Sequence, residues 1–221
     1  ALDLAGNAIH PRGVELLAAC PYLAGLRSLS LGFSYVGAGG GKALAGSRYL
    51  TGLEELYLSE SALSDDGLRA LAGSPNVRRL GRLWVDDNDI TEVGVRALAD
   101  SPYLGRLEQL DLYNNRLGDR GVRALAEPGS LSSLRNLDLG NCGVTDAGAR
   151  ALAESPALGG LRTLGLWSSF PGGNSIGDAG AKALAESPHL GRLAWLQLRG
   201  NPVGEEGTRA LRARFGDRVH F

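Results

Sequence analysis

A leucine, an intervening residue and a second leucine or valine recur along the chain. The pairs start at Leu2, Leu29, Leu56, Leu83, Leu110, Leu137, Leu164 and Leu196, spaced 27 residues six times and then 32. Alternation with period two predicts a short strand in which Leu110 and Leu112 face one side while Asp111 and Tyr113 face the other. The period then lengthens. At a fixed distance from each leading leucine comes a glycine (Gly13, Gly40, Gly67, Gly94, Gly121, Gly148, Gly180, Gly207), and four residues later a further leucine, as in Gly121-Val122-Arg123-Ala124-Leu125-Ala126. That spacing predicts a helix. Thr91, Thr145 or Ser64 stands where its N-cap belongs, and Ser74-Pro75, Ser101-Pro102, Ser155-Pro156 and Ser187-Pro188 end it, because proline cannot continue the helical ladder. Each unit reads as strand, turn, helix, turn. The last two units align only if five residues are inserted within about 168–173, and the pattern dissolves into a C-terminal cap over about 212–221.

A unit of this kind cannot bury its own leucines, so the expectation is one domain over residues 1–221 in which about eight units stack on a shared spine. The motif Leu107-x-x-Leu110-x-Leu112-x-x-Asn115-x-Leu117, with its cysteine variant Leu134-x-x-Leu137-x-Leu139-x-x-Cys142-x-Val144, is similar to the leucine-rich-repeat consensus. The helical convex segment resembles the ribonuclease-inhibitor-like subclass, and the Ala-Leu-Ala-Glu-Ser-Pro ending resembles its bacterial members. The resemblance implies an α/β fold, a right-handed leucine-rich-repeat solenoid or horseshoe with a parallel sheet on the concave face and helices on the convex face. Ser34 and Ser61 replace the consensus asparagine, which predicts a weaker side-chain ladder in the second and third units.

Composition narrows the function classes. A formal net charge of -1 gives no pull toward nucleic acid or anionic lipid, and no apolar run approaches the roughly 20 residues of a membrane helix. Cys20 and Cys142 stand several units apart, too far for a disulfide, and the chain opens without a signal-peptide pattern; a cytoplasmic protein is expected. Leu2 and Leu4 start a strand at once, so either a preceding segment covers this edge or the edge forms a homodimer.

Catalytic and cofactor readings fail on spacing. Val36-Gly37-Ala38-Gly39-Gly40-Gly41-Lys42 has valine where a phosphate loop needs its first glycine and Ala43 where it needs serine or threonine. In Asp86-Asp87-Asn88-Asp89 the third calcium ligand would be Ile90. His10, His189 and His220 fall at unrelated offsets, and Cys142 occupies a buried ladder position. No enzyme, metal or cofactor is expected. The row Lys42, Arg69, Arg96, Arg123, Arg150, Lys182 and Arg209 on the helices is expected to be neutralised by Asp100, Glu127, Glu154 and Glu186, each four residues after its base.

The strands hold the informative signal. Residues flanking the buried leucines must face the concave surface, and Trp84, Trp167 and Trp195 all do, joined by Tyr57 and Tyr113. Tyr57 and Trp84 share an offset in adjacent units and should stack. Around them lie Asp86, Asp111, Asp138 and Arg199, and the insertion beside Trp167 is expected to overhang the concave edge and to offer Phe170. Large amphipathic rings on an exposed sheet act as binding anchors. The expected function is a non-enzymatic scaffold that binds a partner protein or peptide on the concave face. The alternatives are a structural spacer or targeting segment of a larger chain, and a regulator of a GTPase.

Overall fold

The computed structural model describes residues 1–169 and 172–221. Among the described residues nine parallel strands form one open sheet in sequence order: β1 Leu2–Asp3, β2 Ser28–Ser30, β3 Glu55–Tyr57, β4 Arg82–Trp84, β5 Gln109–Asp111, β6 Asn136–Asp138, β7 Thr163–Gly165, β8 Trp195–Gln197 and β9 Val219–His220. The leading leucines pair in register from Leu2 with Leu29 through to Leu164 with Leu196. A helix follows each of the first eight strands: α1 Pro11–Ala18, α2 Gly37–Ala45, α3 Ser64–Ala72, α4 Glu92–Ala99, α5 Gly118–Ala126, α6 Asp146–Glu154, α7 Asp178–Glu186 and α8 Glu205–Phe215. Sheet and helices enclose one apolar core that runs from Val14 to Val219, which is the solenoid that the repeat pattern predicts. The ninth strand is new. Val219 and His220, within the segment read as a cap, continue the sheet by pairing with Leu196 and Gln197.

Three ladders of side-chain hydrogen bonds tie unit to unit. In the first, Asn88 accepts from the backbone N–H groups of Ser61 and Leu63, Asn115 from those of Asn88 and Ile90, and Asn174 from those of Cys142 and Val144. These backbone groups are buried, so each acceptor removes a desolvation cost of about 1–3 kcal/mol. The two serine substitutions behave differently. Ser61 keeps a place in the ladder by donating to Leu58 O and Asn88 Oδ1, whereas the Ser34 hydroxyl is buried among the described residues without a partner.

The second ladder explains the recurring glycine in four of the units. Asp65, in the first turn of α3, accepts from the Thr91 and Gly94 N–H groups at the start of α4. Asp119 serves Thr145 and Gly148 in the same way, Asp146 serves Gly177 and Gly180, and Asp178 serves Gly204 and Gly207. A Cβ on Gly94 would stand 2.5 Å from Asp65 Oδ1, and one on Gly148 would stand 2.6 Å from Asp119 Oδ1. At Gly94, Gly148, Gly180 and Gly207 the glycine is the opening through which the previous unit's carboxylate reaches the helix N-terminus. Thr91 and Thr145 also cap their own helices; Ser64 does not, since it begins α3 with φ 58°.

The third ladder uses the Ser-Pro corners. The hydroxyls of Ser74, Ser101, Ser155 and Ser187 donate to the carbonyls of Ala45, Ala72, Ala126 and Ala153 at the end of the preceding helix. Serine at this corner therefore joins neighbouring units as well as ending its own helix.

Candidate concave binding surface

The register sorts the concave residues into three columns across the sheet. One column contains Tyr57, Trp84, Asp111, Asp138, Gly165, Gln197 and His220 in pairing order. A second, one residue before each leucine, holds Glu55, Arg82, Gln109, Asn136, Thr163 and Trp195. The third lies just past the strands and holds Asp86, Tyr113, Gly140, Trp167 and Arg199. All three indoles are outside the core: Trp84 and Trp167 are half-buried, and Trp195 is 44% exposed.

Tyr57 and Trp84 stack with ring centroids 4.0 Å apart and planes 9° from parallel. A second stack forms where the sequence gives no direct hint. Tyr113 and Trp167 belong to units two apart, yet their centroids lie 4.6 Å apart at 10°. Gly140 makes this possible: a Cβ there would lie 2.5 Å from Trp167 Nε1, so the indole leans across the missing side chain. Gly165 leaves similar room, since its Cβ would stand 2.7 Å from Asp138 Oδ1. Gly165 lies on β7 and Gly140 just past β6, both at positions where the repeat needs no glycine. Those departures are the one signal that could have pointed to the second stack.

Between the stacks lie Asp86, Asp111 and Asp138. Ser59 donates to Asp86 at 2.6 Å, the Tyr113 N–H to Asp111 at 3.0 Å, and the Gly140 N–H to Asp138 at 2.8 Å, while Trp167 Nε1 approaches Asp138 Oδ2 at 3.5 Å. Burial raises the pKa of Asp86, opposed by the Ser59 hydrogen bond. The effect is larger at Asp111, whose pKa is pushed up to about 7, first by burial, against the Tyr113 hydrogen bond, and then by the charges of Asp138, Asp86 and Asp87. None of the three carboxylates is among the ion pairs of the described residues. The nearby cation Arg82 is paired with Glu55. Arg199 is exposed at the C-terminal end of its column.

The ten residues expected to form the site thus divide. Tyr57, Trp84, Asp86, Asp111, Tyr113, Asp138 and Trp167 share one stretch of the sheet from β3 to β7. Trp195 lies apart, in another column on β8, where it stacks on His220 of β9 at 3.6 Å. Phe170, proposed as a further anchor, falls outside the described residues. Asn88 belongs to the asparagine ladder, and Asp89 pairs with Arg116. Among the described residues no group of three or more His, Cys, Asp or Glu side chains could hold a metal ion. Burial pushes the Cys142 thiol up to about 12, which keeps it protonated at neutral pH.

The convex face departs from expectation. Two of the basic residues pair with the neighbouring helix: Arg96 meets Glu127 of the next unit at 3.1 Å, and Lys182 meets Glu206; Lys42, Arg123, Arg150 and Arg209 enter no ion pair among the described residues. Arg69 pairs with Asp66, three residues before it. The i to i+4 acids were expected because helix spacing permits them. Stacked helices give an alternative partner, and it is the one that Arg96 and Lys182 take. No helix of the described residues is long and apolar enough to cross a membrane.

A family model described as Leucine Rich repeat matches residues 1–18, 50–72, 107–126, 130–153 and 172–185. No curated protein matches the chain. Among solved structures, the chain is similar to an internalin (inlF) from Listeria monocytogenes str. 4b F2365. That likeness has 20% identity and a TM-score of 0.45 over 94% of this chain and 70% of that one.

Proposed function

The chain belongs to the leucine-rich-repeat family, and on that premise we propose that it is a non-enzymatic scaffold that holds a partner protein or peptide on its concave face. One observation carries the reading. Two aromatic stacks and three carboxylates that enter no ion pair among the described residues lie together on a face that opens to solvent. Rings fixed by stacking lose little freedom on binding, so they can anchor a partner at small entropic cost. The convex helices of eight to eleven residues support the ribonuclease-inhibitor-like subclass. Two free cysteines support a reducing compartment, hence the cytoplasm.

The test is capture from a native lysate by the wild type, a Trp84→Ala/Trp167→Ala double variant and a convex Arg123→Ala/Arg150→Ala control. Loss of the same captured proteins from the concave variant alone is the expected result. Identical capture by all three removes the concave site.

The N-terminal edge supports a second contact. Leu2, Leu4, Ile9, Leu17, Leu23 and Leu26 are only partly buried, whereas their counterparts one unit later, Leu29, Leu31, Val36, Leu44, Leu50 and Leu53, are at most 5% exposed. Either a preceding segment or a homodimer through this edge would cover them. Light scattering of residues 1–221 is expected to show a dimer at micromolar concentration, and a monomer throughout that range contradicts the dimer.

A further inference from the structure

We propose that the sheet face between the two ring stacks recognises an arginine side chain carried by an extended segment of the partner, with Asp111 as its principal counter-charge. The inference rests on the concave reading and names the chemistry of its occupant.

The occupant follows from what the face lacks. Asp86, Asp111 and Asp138 come from three consecutive units, and adjacent strands lie about 4.8 Å apart. Asp138 is the register neighbour of Asp111, and the charges of Asp138 and Asp86 both act on it, so the three carboxylates can share one cation; among the described residues none is supplied, since Arg82 is committed to Glu55 and Arg199 is exposed beyond β8. Trp84 is the register neighbour of Asp111 on one side, and the Tyr113–Trp167 stack stands over Asp138 on the other. A cation entering here meets π faces and carboxylates together. Guanidinium suits such a setting better than ammonium, because it is planar, stacks on rings, and gives up its weaker hydration more readily. The shifted Asp111 supports the same reading, since a carboxylate disfavoured as an anion in the free chain becomes favoured once a cation sits against it.

The groups that act on Asp111 are Asp86 and Asp87 from the β4 side, Asp138 from β6 and the Tyr113 N–H. The three carboxylates favour a bound cation. Binding should therefore weaken on acidification as Asp111 takes up its proton.

The experiment is a calorimetric titration of the chain at low salt and pH 8 with a capped octapeptide Gly-Arg-Ser-Gly-Arg-Ser-Gly-Arg. Parallel titrations use the peptides in which every arginine is citrulline, its neutral isostere, or lysine. The arginine peptide is expected to bind at least tenfold more tightly than the citrulline peptide, several-fold more tightly than the lysine peptide, and more weakly at pH 5.5 than at pH 8. Asp111→Asn should lose at least tenfold in affinity while its circular dichroism stays that of the wild type, and Asp66→Asn on the convex side should lose nothing. Equal binding of the arginine and citrulline peptides, equal binding of the lysine peptide, an undiminished Asp111→Asn, or no binding at millimolar peptide each overturns the inference. If the ring variant loses its captured proteins while the arginine peptide fails, the inference falls and the concave reading stands; if both fail, both fall.

Discussion

Several charges on the convex side have an ionic partner, whereas the three carboxylates at the centre of the concave side have none among the described residues. Arg96 and Glu127, Lys182 and Glu206, and Arg69 and Asp66 neutralise one another across or along the helices. At the rim between the faces, Asp65, Asp119, Asp146 and Asp178 are taken up by the N-termini of the next helices. Asp86, Asp111 and Asp138 receive only short neutral donors, and Asp111 is held where ionisation is costly. The same residue type, repeated through one solenoid, thus stabilises the fold at the rim and stands against it on the sheet. A surface that keeps an unfavourable charge is a candidate for function, because a ligand can relieve it.

The contrast is sharpest in stability measurements. The largest effect belongs to the rim. In Gly148→Ala the added methyl meets Asp119 Oδ1 and Val144 Cγ1 within 2.8 Å, so the carboxylate must leave the helix terminus. Urea denaturation should show a loss of about 2–4 kcal/mol, from the overpacking together with the lost hydrogen bonds. Asp119→Ala, which removes the acceptor of the Thr145 N–H, the Thr145 hydroxyl and the Gly148 N–H, should cost about 2 kcal/mol in the same assay. Neither should alter affinity for the arginine peptide.

The concave acid should behave in the opposite sense. A carboxyl whose folded pKa is raised to about 7 keeps a proton that the unfolded chain gives up near pH 4. Its favourable contribution is therefore complete below pH 4, declines as pH rises through 7, and becomes a penalty at pH 8. Asp111→Asn cannot ionise and retains an oxygen for the Tyr113 N–H. It should raise stability at pH 8 by roughly 1–2 kcal/mol, after allowance for partial solvent screening, and by nothing at pH 4. Thermal melts of both proteins at the two pH values check this; destabilisation at pH 8 contradicts it.

The smallest effect is on the exposed convex pairs. Arg96→Ala should leave the urea midpoint where it is, since solvent screens both partners, with side-chain exposures of 49% and 56%.

These differences also mark what could be read from the chain alone. The leucine spine, its register and the Tyr57–Trp84 stack were legible because each depends only on a residue's offset within its unit. The Tyr113–Trp167 stack was not, since it depends on a side chain that is absent, at Gly140. The recurring glycine was visible while its reason at Gly94, Gly148, Gly180 and Gly207 was not: the carboxylate that needs the space comes from the preceding unit. The ion pairs Arg96–Glu127 and Lys182–Glu206 were missed for a related reason, because helix periodicity describes one helix and says nothing of its neighbour. The Trp195–His220 stack required recognising β9, whose single pairing with β8 lies outside the 27-residue pattern. Within-unit offsets carry the architecture; contacts between units carry the site.

The contrast between the faces is tested most directly by photo-crosslinking with an arginine peptide that carries a diazirine beside its central arginine, followed by residue-resolved mass spectrometry of the adducts. Adducts on Trp84, Tyr113 and Trp167, lost in Asp111→Asn, are the predicted result. Adducts concentrated on convex residues such as Arg123 and Arg150, or a pattern unchanged by Asp111→Asn, would contradict it.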